Sequence, residues 1–225
     1  MKIAIIVAMD KELALLRNHI ENQSKATVNG FTFLCGNMGG IEIVACKCGI
    51  GKVNAAIGSM TLIDTFHPSL VVNTGVAGGT GAGNPAAGIG DVVLASEIAY
   101  HDVWCGPGTE PGQAAGCPAR FSCPLPDNVR NLLNAKEGLL ASGDIFVNDP
   151  ADLQRILSLY PEAIAVDMES AAIAQTCFIK DVPFVCIRVV SDVPGADGNA
   201  AAYERFWENA PGRTFAAVER LIQLL

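Results

Sequence analysis

Two carboxylates at the ends of apolar runs carry the most legible chemistry in this 225-residue chain. Val166-Asp167-Met168-Glu169-Ser170 closes one run, and Arg188-Val189-Val190-Ser191-Asp192 closes another about twenty residues later. The first run, Ala163 to Val166, predicts a buried strand whose chain turns at Asp167-Met168-Glu169 into a helix through Lys180. The second, Phe184 to Val190, predicts its parallel neighbour. Strands of open α/β sheets line the ligand crevice with their carboxyl ends, so Glu169 and Asp192 are expected to converge there on a small molecule. Each residue also has a plainer reading. Asp167 could be a helix N-cap, Glu169 an acid favoured near a positive helix end, and Asp192, before Val-Pro-Gly, an ordinary turn starter.

The elements that must position these groups interleave along the chain. A strand at Lys2 to Ala8 leads through Met9-Asp10 into a helix at Lys11 to Ile20, which puts Glu12 in its first turn at another strand's carboxyl end. Lys25 to Val28, Phe31 to Cys35 and Ile41 to Cys48 form an antiparallel set, joined at Asn29-Gly30 and Gly39-Gly40. Gly49-Ile50-Gly51-Lys52 opens a helix that runs to Phe66 before Pro68. Leu70 to Asn73 is a buried strand that ends in a crevice loop, Gly75-Val76-Ala77-Gly78-Gly79, where glycines either admit a ligand to backbone N–H groups or make a tight turn. Residues 80 to 90 form an exposed turn before a strand at Asp91 to Tyr100. The Pro- and Gly-rich stretch from His101 to Pro126 is too long for a simple connector and is either a lid or an oligomer contact. Further on come a helix near Asp127 to Ala135, a strand at Gly138 to Ala141, a helix capped by Asp149-Pro150, and helices near Ala200 to Asn209 and Arg213 to Leu225. The expected fold is α/β: a single domain spanning residues 1–225, three-layer α/β/α, with a mixed, twisted central sheet.

Composition narrows the function. Half the residues are hydrophobic and 17% are charged, yet no run is long and apolar enough for a membrane span, and the start is read as a strand, not a leader. A cytoplasmic location is expected. Net charge is −8 without a basic cluster, which argues against nucleic acid as a partner. The eight cysteines are read as reduced, small apolar residues. Cys46-x-Cys48 is not the spacing of a metal or redox motif, and the three histidines are scattered, so no metal or cofactor is expected. Gly49-Ile50-Gly51-Lys52 also fails as a phosphate loop, having neither the spacing between its glycines nor a Ser or Thr after the lysine.

Taken together, several motifs resemble the 5′-methylthioadenosine/S-adenosylhomocysteine nucleosidase family of the purine nucleoside phosphorylase superfamily. They are Met9-x-x-Glu12, Gly49-Ile50-Gly51-Lys52-Val53, Asn73-Thr74-Gly75-x-Ala77-Gly78-Gly79, Tyr100-His101-Asp102, Ser142-Gly143-Asp144, Val166-x-Met168-Glu169 and Ser191-Asp192-Val193. The resemblance covers nearly the whole chain. It implies a nucleoside phosphorylase-like fold and hydrolysis of an N-ribosidic bond, releasing adenine and a 5-thio-substituted ribose through an oxocarbenium-like transition state. Asp192 would then protonate N7 of the base as general acid, which requires it to be protonated near neutral pH. Raising a carboxyl from about 4 to about 7 takes roughly 4 kcal/mol, at about 1.36 per unit. Glu12 would activate water and so be ionised, Glu169 would hold the ribose diol and favour the cationic sugar, and Arg188 would orient Glu12, Glu169 and the water.

The same resemblance assigns the base and sugar contacts to Phe146, Met168, the Val147 backbone, Ala77, Gly78 and Ser191. Met9, Ile50 and Tyr203 would surround the alkylthio group, and the assembly would be a homodimer with the segment after His101 near the interface. For the apolar residues a plain core role stays open. The chain departs from the family at Val76, where members place a Ser that holds the attacking water, and at Trp104-Cys105-Gly106-Pro107-Gly108 in the segment that usually supplies walls to the 5′ pocket. Rival readings are a nucleosidase for futalosine-type nucleosides, a phosphate-dependent nucleoside phosphorylase, and a non-catalytic nucleoside-binding module. Glu12 in the phosphorylases' anion region argues against phosphate.

Overall fold

A computed structural model of the chain describes residues 1–84, 86–196, 198–209 and 212–225. Pro85, in the expected 80–90 turn, and Asp197, shortly before Tyr203, lie outside the described residues. In chain order the elements are β1 (Lys2–Val7), α1 (Asp10–Arg17), β2 (Glu21–Val28), β3 (Phe31–Met38), β4 (Ile41–Lys47), α2 (Lys52–Phe66), β5 (Leu70–Gly79) and β6 (Val92–Tyr100). There follow β7 (Phe121–Ser122), α3 (Asp127–Leu132), β8 (Lys136–Ser142), α4 (Pro150–Leu159), β9 (Ala163–Asp167), α5 (Ser170–Lys180), β10 (Phe184–Asp192), α6 (Asn199–Asn209) and α7 (Gly212–Leu224).

Among the described residues every strand belongs to one mixed sheet. β1 lies between β4 and β5 and is parallel to both, so its side chains are buried on each face; this is why Ile3-Ala4-Ile5-Ile6-Val7 is an unbroken apolar run and not an alternating one. Alternate residues of that run enter opposite layers. Ala4 and Ile6 pack with Ala55 and Leu62 of α2 and Ala171 and Ile173 of α5, while Ile3, Ile5 and Val7 pack with Leu16 of α1 and Val218 and Leu221 of α7. The result is the three-layer α/β/α arrangement expected. β2, β3 and β4 form the antiparallel extension, with β2 beginning at Glu21, four residues before the predicted start.

The sheet curls beyond β5. β5 pairs in parallel with β10, β10 antiparallel with β6, β6 in parallel with β8, β8 in parallel with β9, and β9 returns antiparallel to the last residues of β5. This closed ring corrects two expectations. β9 and β10 are not neighbours, because β10 is inserted between β5 and β6. Residues 75–79 are not a loop but the end of a ten-residue strand. The glycines that suggested a turn serve close packing instead: a Cβ on Gly78 would lie 2.5 Å from Pro194 Cγ, and one on Gly79 would lie 2.6 Å from the Ala87 carbonyl and 2.8 Å from Val190 Cγ1. Only bare backbone lets β5 bend into contact with both β9 and β10. β9 still turns through Asp167-Met168-Glu169 into α5, and Asp149 caps α4 by accepting from Ala151 N–H at 2.8 Å, both as predicted.

Candidate active site

Each carboxylate expected to do chemistry sits where a strand ends or a helix begins, and the ring brings those ends together. β1 delivers Glu12 through the first turn of α1, β9 delivers Glu169 at the start of α5, and β10 ends on Asp192. All three side chains are buried. They face a cleft of about 650 Å³, its open mouth included. Met9, Ile50, Val76, Ala77, Gly78, Phe146, Val147, Met168, Arg188, Ser191 and Tyr203, all singled out from the sequence, line the same cleft. Ala8, Ile145, Val166, Asp167 and Pro194 line it as well, beyond those expectations. None of residues 101–118 does, and Trp104 stands 65% exposed, so the divergent segment leaves this chain's own cleft untouched.

Glu12 is held by backbone donors. Its Oε2 accepts from the N–H groups of Ala8 and Met9, each at 2.9 Å, and its Oε1 from Val76 N–H at 3.2 Å. Val76 therefore contributes its amide to the site, which any residue but proline at that position would supply. Burial pushes the Glu12 carboxyl above its usual range, while the Arg188 charge and the three N–H groups oppose that shift. Asp192 is raised by burial too, against a 2.6 Å hydrogen bond from Ser191 Oγ and another from the Asn199 side chain. Asn199, buried at the start of α6, also donates through Nδ2 to the Val147 carbonyl at 3.1 Å, and so ties the acid to the loop residue expected to read the base. Asn199 was not nominated from the sequence, where a lone Asn among Gly and Ala residues carries no signal.

Arg188 departs from its expected role. Its guanidinium, 1% exposed, pairs directly with Asp167 and donates to Asn73 Oδ1 at 2.6 Å and to the Thr74 carbonyl at 3.1 Å, and it makes no hydrogen bond to Glu169. Asp167 accepts from Ser170 N–H and Oγ, but Glu169, not Asp167, occupies the N-cap position of α5; Asp167 is instead the counter-ion that holds Arg188 in place. Nη1 of Arg188 still converges with Glu12 at Gly75, where a Cβ would lie 2.6 Å from that nitrogen and 2.4 Å from Glu12 Oε1.

Glu169 accepts from Gly51 N–H at 2.9 Å. Burial, then the negative charge of Asp167, lift its pKa from 4.5 to about 7, with Arg188 and the Gly51 N–H pulling the other way. Between those two values the folded chain keeps a proton that the unfolded chain releases, so stability falls as pH rises through this window. At about 1.4 kcal/mol per unit the loss is on the order of 3 kcal/mol. Urea unfolding at pH 5 and pH 8 should show the wild type losing that much more stability than Glu169→Gln; an equal loss in both proteins would contradict the assigned shift.

The Phosphorylase superfamily model matches residues 2–223. A 5′-methylthioadenosine/S-adenosylhomocysteine nucleosidase of Anoxybacillus flavithermus is 39% identical over 100% of this chain and 99% of its own length, and one of Geobacillus thermodenitrificans is 42% identical over 93% and 91%. Among solved structures, the nucleosidase of Neisseria meningitidis in complex with methylthio-immucillin-A superposes with a TM-score of 0.91 at 34% identity, covering 100% of this chain and 99% of that one. The Colwellia psychrerythraea nucleosidase in complex with adenine gives 0.92 at 34% identity, covering 100% and 96%. With its mixed sheet, its convergent carboxylates and relatives matched end to end, this chain belongs to the phosphorylase superfamily and, within it, to the 5′-methylthioadenosine/S-adenosylhomocysteine nucleosidases.

Proposed function

We propose that the chain hydrolyses the N-ribosidic bond of 5′-methylthioadenosine and S-adenosylhomocysteine to adenine and a 5-thio-substituted ribose. The observation that carries this reading is the convergence of Glu12, Glu169 and Asp192, each in a different electrostatic setting, on one largely apolar cleft. Adenine and methylthio-immucillin-A in the pockets of similar proteins support the substrate class. As the bond between C1′ and the base breaks, its electron pair passes to the purine, and the Asp192 proton transferred to N7 neutralises it. Burial raises the Asp192 carboxyl, which favours its carrying that proton. Water bonds to C1′ and gives its proton to Glu12, which ends protonated while Asp192 ends ionised; solvent exchange resets both. Glu169 accepts from the ribose hydroxyls and opposes the positive charge developing on the sugar, which in turn favours its ionised form.

Phosphorolysis is disfavoured by charge. Among the described cleft residues Arg188 is the one cation, and it is already paired with Asp167 and surrounded by Glu12 and Glu169. An incoming phosphate would meet net negative charge. The reading extends to a single-domain enzyme acting as a homodimer: Ile50, Val53, Ile57 and Phe146 are large apolar side chains about half or more exposed on and beside α2, with Ile50 and Phe146 at the mouth of the cleft. Purified protein in phosphate-free buffer should release adenine from both thio-nucleosides. Release from a futalosine-type nucleoside alone would sink the substrate assignment, and no release from any would sink the enzyme.

A further inference from the structure

Three motifs that carry the family resemblance do no chemistry in the mechanism above: Gly51-Lys52, His101-Asp102 and Gly143-Asp144. In the structure they form one polar clamp. Asp102, after β6, accepts through Oδ2 from Lys52 Nζ at 2.7 Å and from the Asp144 N–H at 2.8 Å. Asp144, after β8, returns through Oδ1 to the Lys52 N–H at 2.7 Å. Lys52 also lies over the Tyr100 ring, 5.5 Å from its centroid, which fixes the stem of the clamp.

The clamp joins the start of α2 to the ends of β6 and β8, which pair with each other up to Tyr100 and Ser142. Lys52 begins α2, and the residue before it, Gly51, gives its N–H to Glu169 Oε1 at 2.9 Å. Ile50 lines the cleft one residue earlier, and Asp144 immediately precedes Ile145, Phe146 and Val147, which line it too. The geometry at Gly51 is tight: its φ is +92°, and a Cβ there would lie 3.0 Å from Asp144 Oδ1, so the peptide is pressed against the very carboxylate that holds Lys52.

We infer that Asp102, Lys52 and Asp144 are positioning residues for the reaction, holding the start of α2 against the 143–147 loop so that the Gly51 N–H orients Glu169 toward the ribose hydroxyls. The hydrogen bonds of the clamp carboxylates go to Lys52 and to backbone N–H groups, and neither carboxylate lines the cleft, so they act through Glu169 and not on substrate. A charge-assisted network of this kind fixes geometry because each member constrains the other two.

This inference rests on the reading of Glu169 as the ribose ligand, and the test separates the two. The measured quantity is the ratio of kcat/KM for 5′-methylthioadenosine to that for its 2′-deoxy counterpart, in wild type, Glu169→Gln, Asp102→Ala, Asp144→Ala and Asp102→Asn. A loose Glu169 no longer rewards the 2′-hydroxyl, so the ratio should fall about tenfold in Asp102→Ala and in Asp144→Ala. Asp102→Asn, which keeps an acceptor oxygen and the same shape, should recover part of it and covers the case in which the alanine variants fold poorly. The double alanine variant should be no worse than the poorer single, because one clamp is being broken twice. If Glu169→Gln collapses the ratio while the clamp variants slow both substrates equally, the clamp is merely structural and the inference is overturned. If Glu169→Gln itself leaves the ratio at the wild-type value, the ribose role of Glu169 is wrong and the clamp falls with it.

Discussion

Replacing Asp192 with Asn should lower kcat for adenine release by about 100- to 10,000-fold while leaving substrate binding within a few-fold of wild type. The side chain keeps its size and can still accept from Ser191 Oγ, so the β10 end and the hydrogen bonds around it survive. What is lost is the proton. An amide can donate a hydrogen bond to N7 but cannot give up a proton to it, and the purine then leaves as an anion from a desolvated cleft. The loss corresponds to about 3–5 kcal/mol of transition-state stabilisation. Because burial raises the Asp192 pKa, wild-type activity should decline as pH rises through that raised value, and this limb should be missing from the residual activity of Asp192→Asn. Steady-state kinetics across pH 5 to 10 reads both effects. A variant within threefold of wild type would remove Asp192 from the chemistry.

Gly75→Ala should damage both halves of the site at once. A methyl group there would enter the 2.4 Å and 2.6 Å positions occupied by Glu12 Oε1 and Arg188 Nη1, on a backbone whose φ of +145° L side chains rarely adopt. Neither neighbour can yield cheaply: Glu12 is fixed by three N–H donors, and Arg188 by Asp167, Asn73 and Thr74. Strain alone costs about 1–3 kcal/mol, and displacing the general base by a fraction of an ångström is expected to cost about 100-fold in kcat/KM. Gly81→Ala is the matched control, since Gly81 has a φ of +72° and nothing within 4 Å of its Cβ position. It should lose stability by about 1 kcal/mol and keep full activity. Equal activity in the two variants would show that the approach of Glu12 and Arg188 at Gly75 is immaterial.

The contrast between Gly75 and Asp192 also marks how far residue types could be read in advance. Carboxylates following apolar runs were legible because strand ends collect ligands, and Glu12, Glu169 and Asp192 do face one cleft. Their convergence was anticipated by way of a topology that is partly different. Local spacing carries no information on whether β10 lies beside β9 or is inserted between β5 and β6, since both orders bury the same residues. Residues 75–79 misled for a related reason. Glycine marks turns by permitting positive φ, but Gly78 and Gly79 are needed because neighbouring chains come too close for a side chain, a long-range requirement invisible in the local sequence. Arg188 lines the cleft, but its direct partner is Asp167, anchored by Ser170, which local spacing did not single out as its counter-ion. Asn199 and the clamp of Lys52, Asp102 and Asp144 depend on contacts between segments far apart in the chain, and only the folded arrangement reveals them.

In the mechanism proposed, water activated by Glu12, and not phosphate, is the nucleophile. This is tested most directly by incubating the enzyme with 5′-methylthioadenosine with and without millimolar inorganic phosphate and identifying the sugar product. Free 5-methylthioribose should form with adenine one for one and at the same rate in both buffers. Adenine release that requires phosphate, with 5-methylthioribose 1-phosphate as the product, would contradict that mechanism.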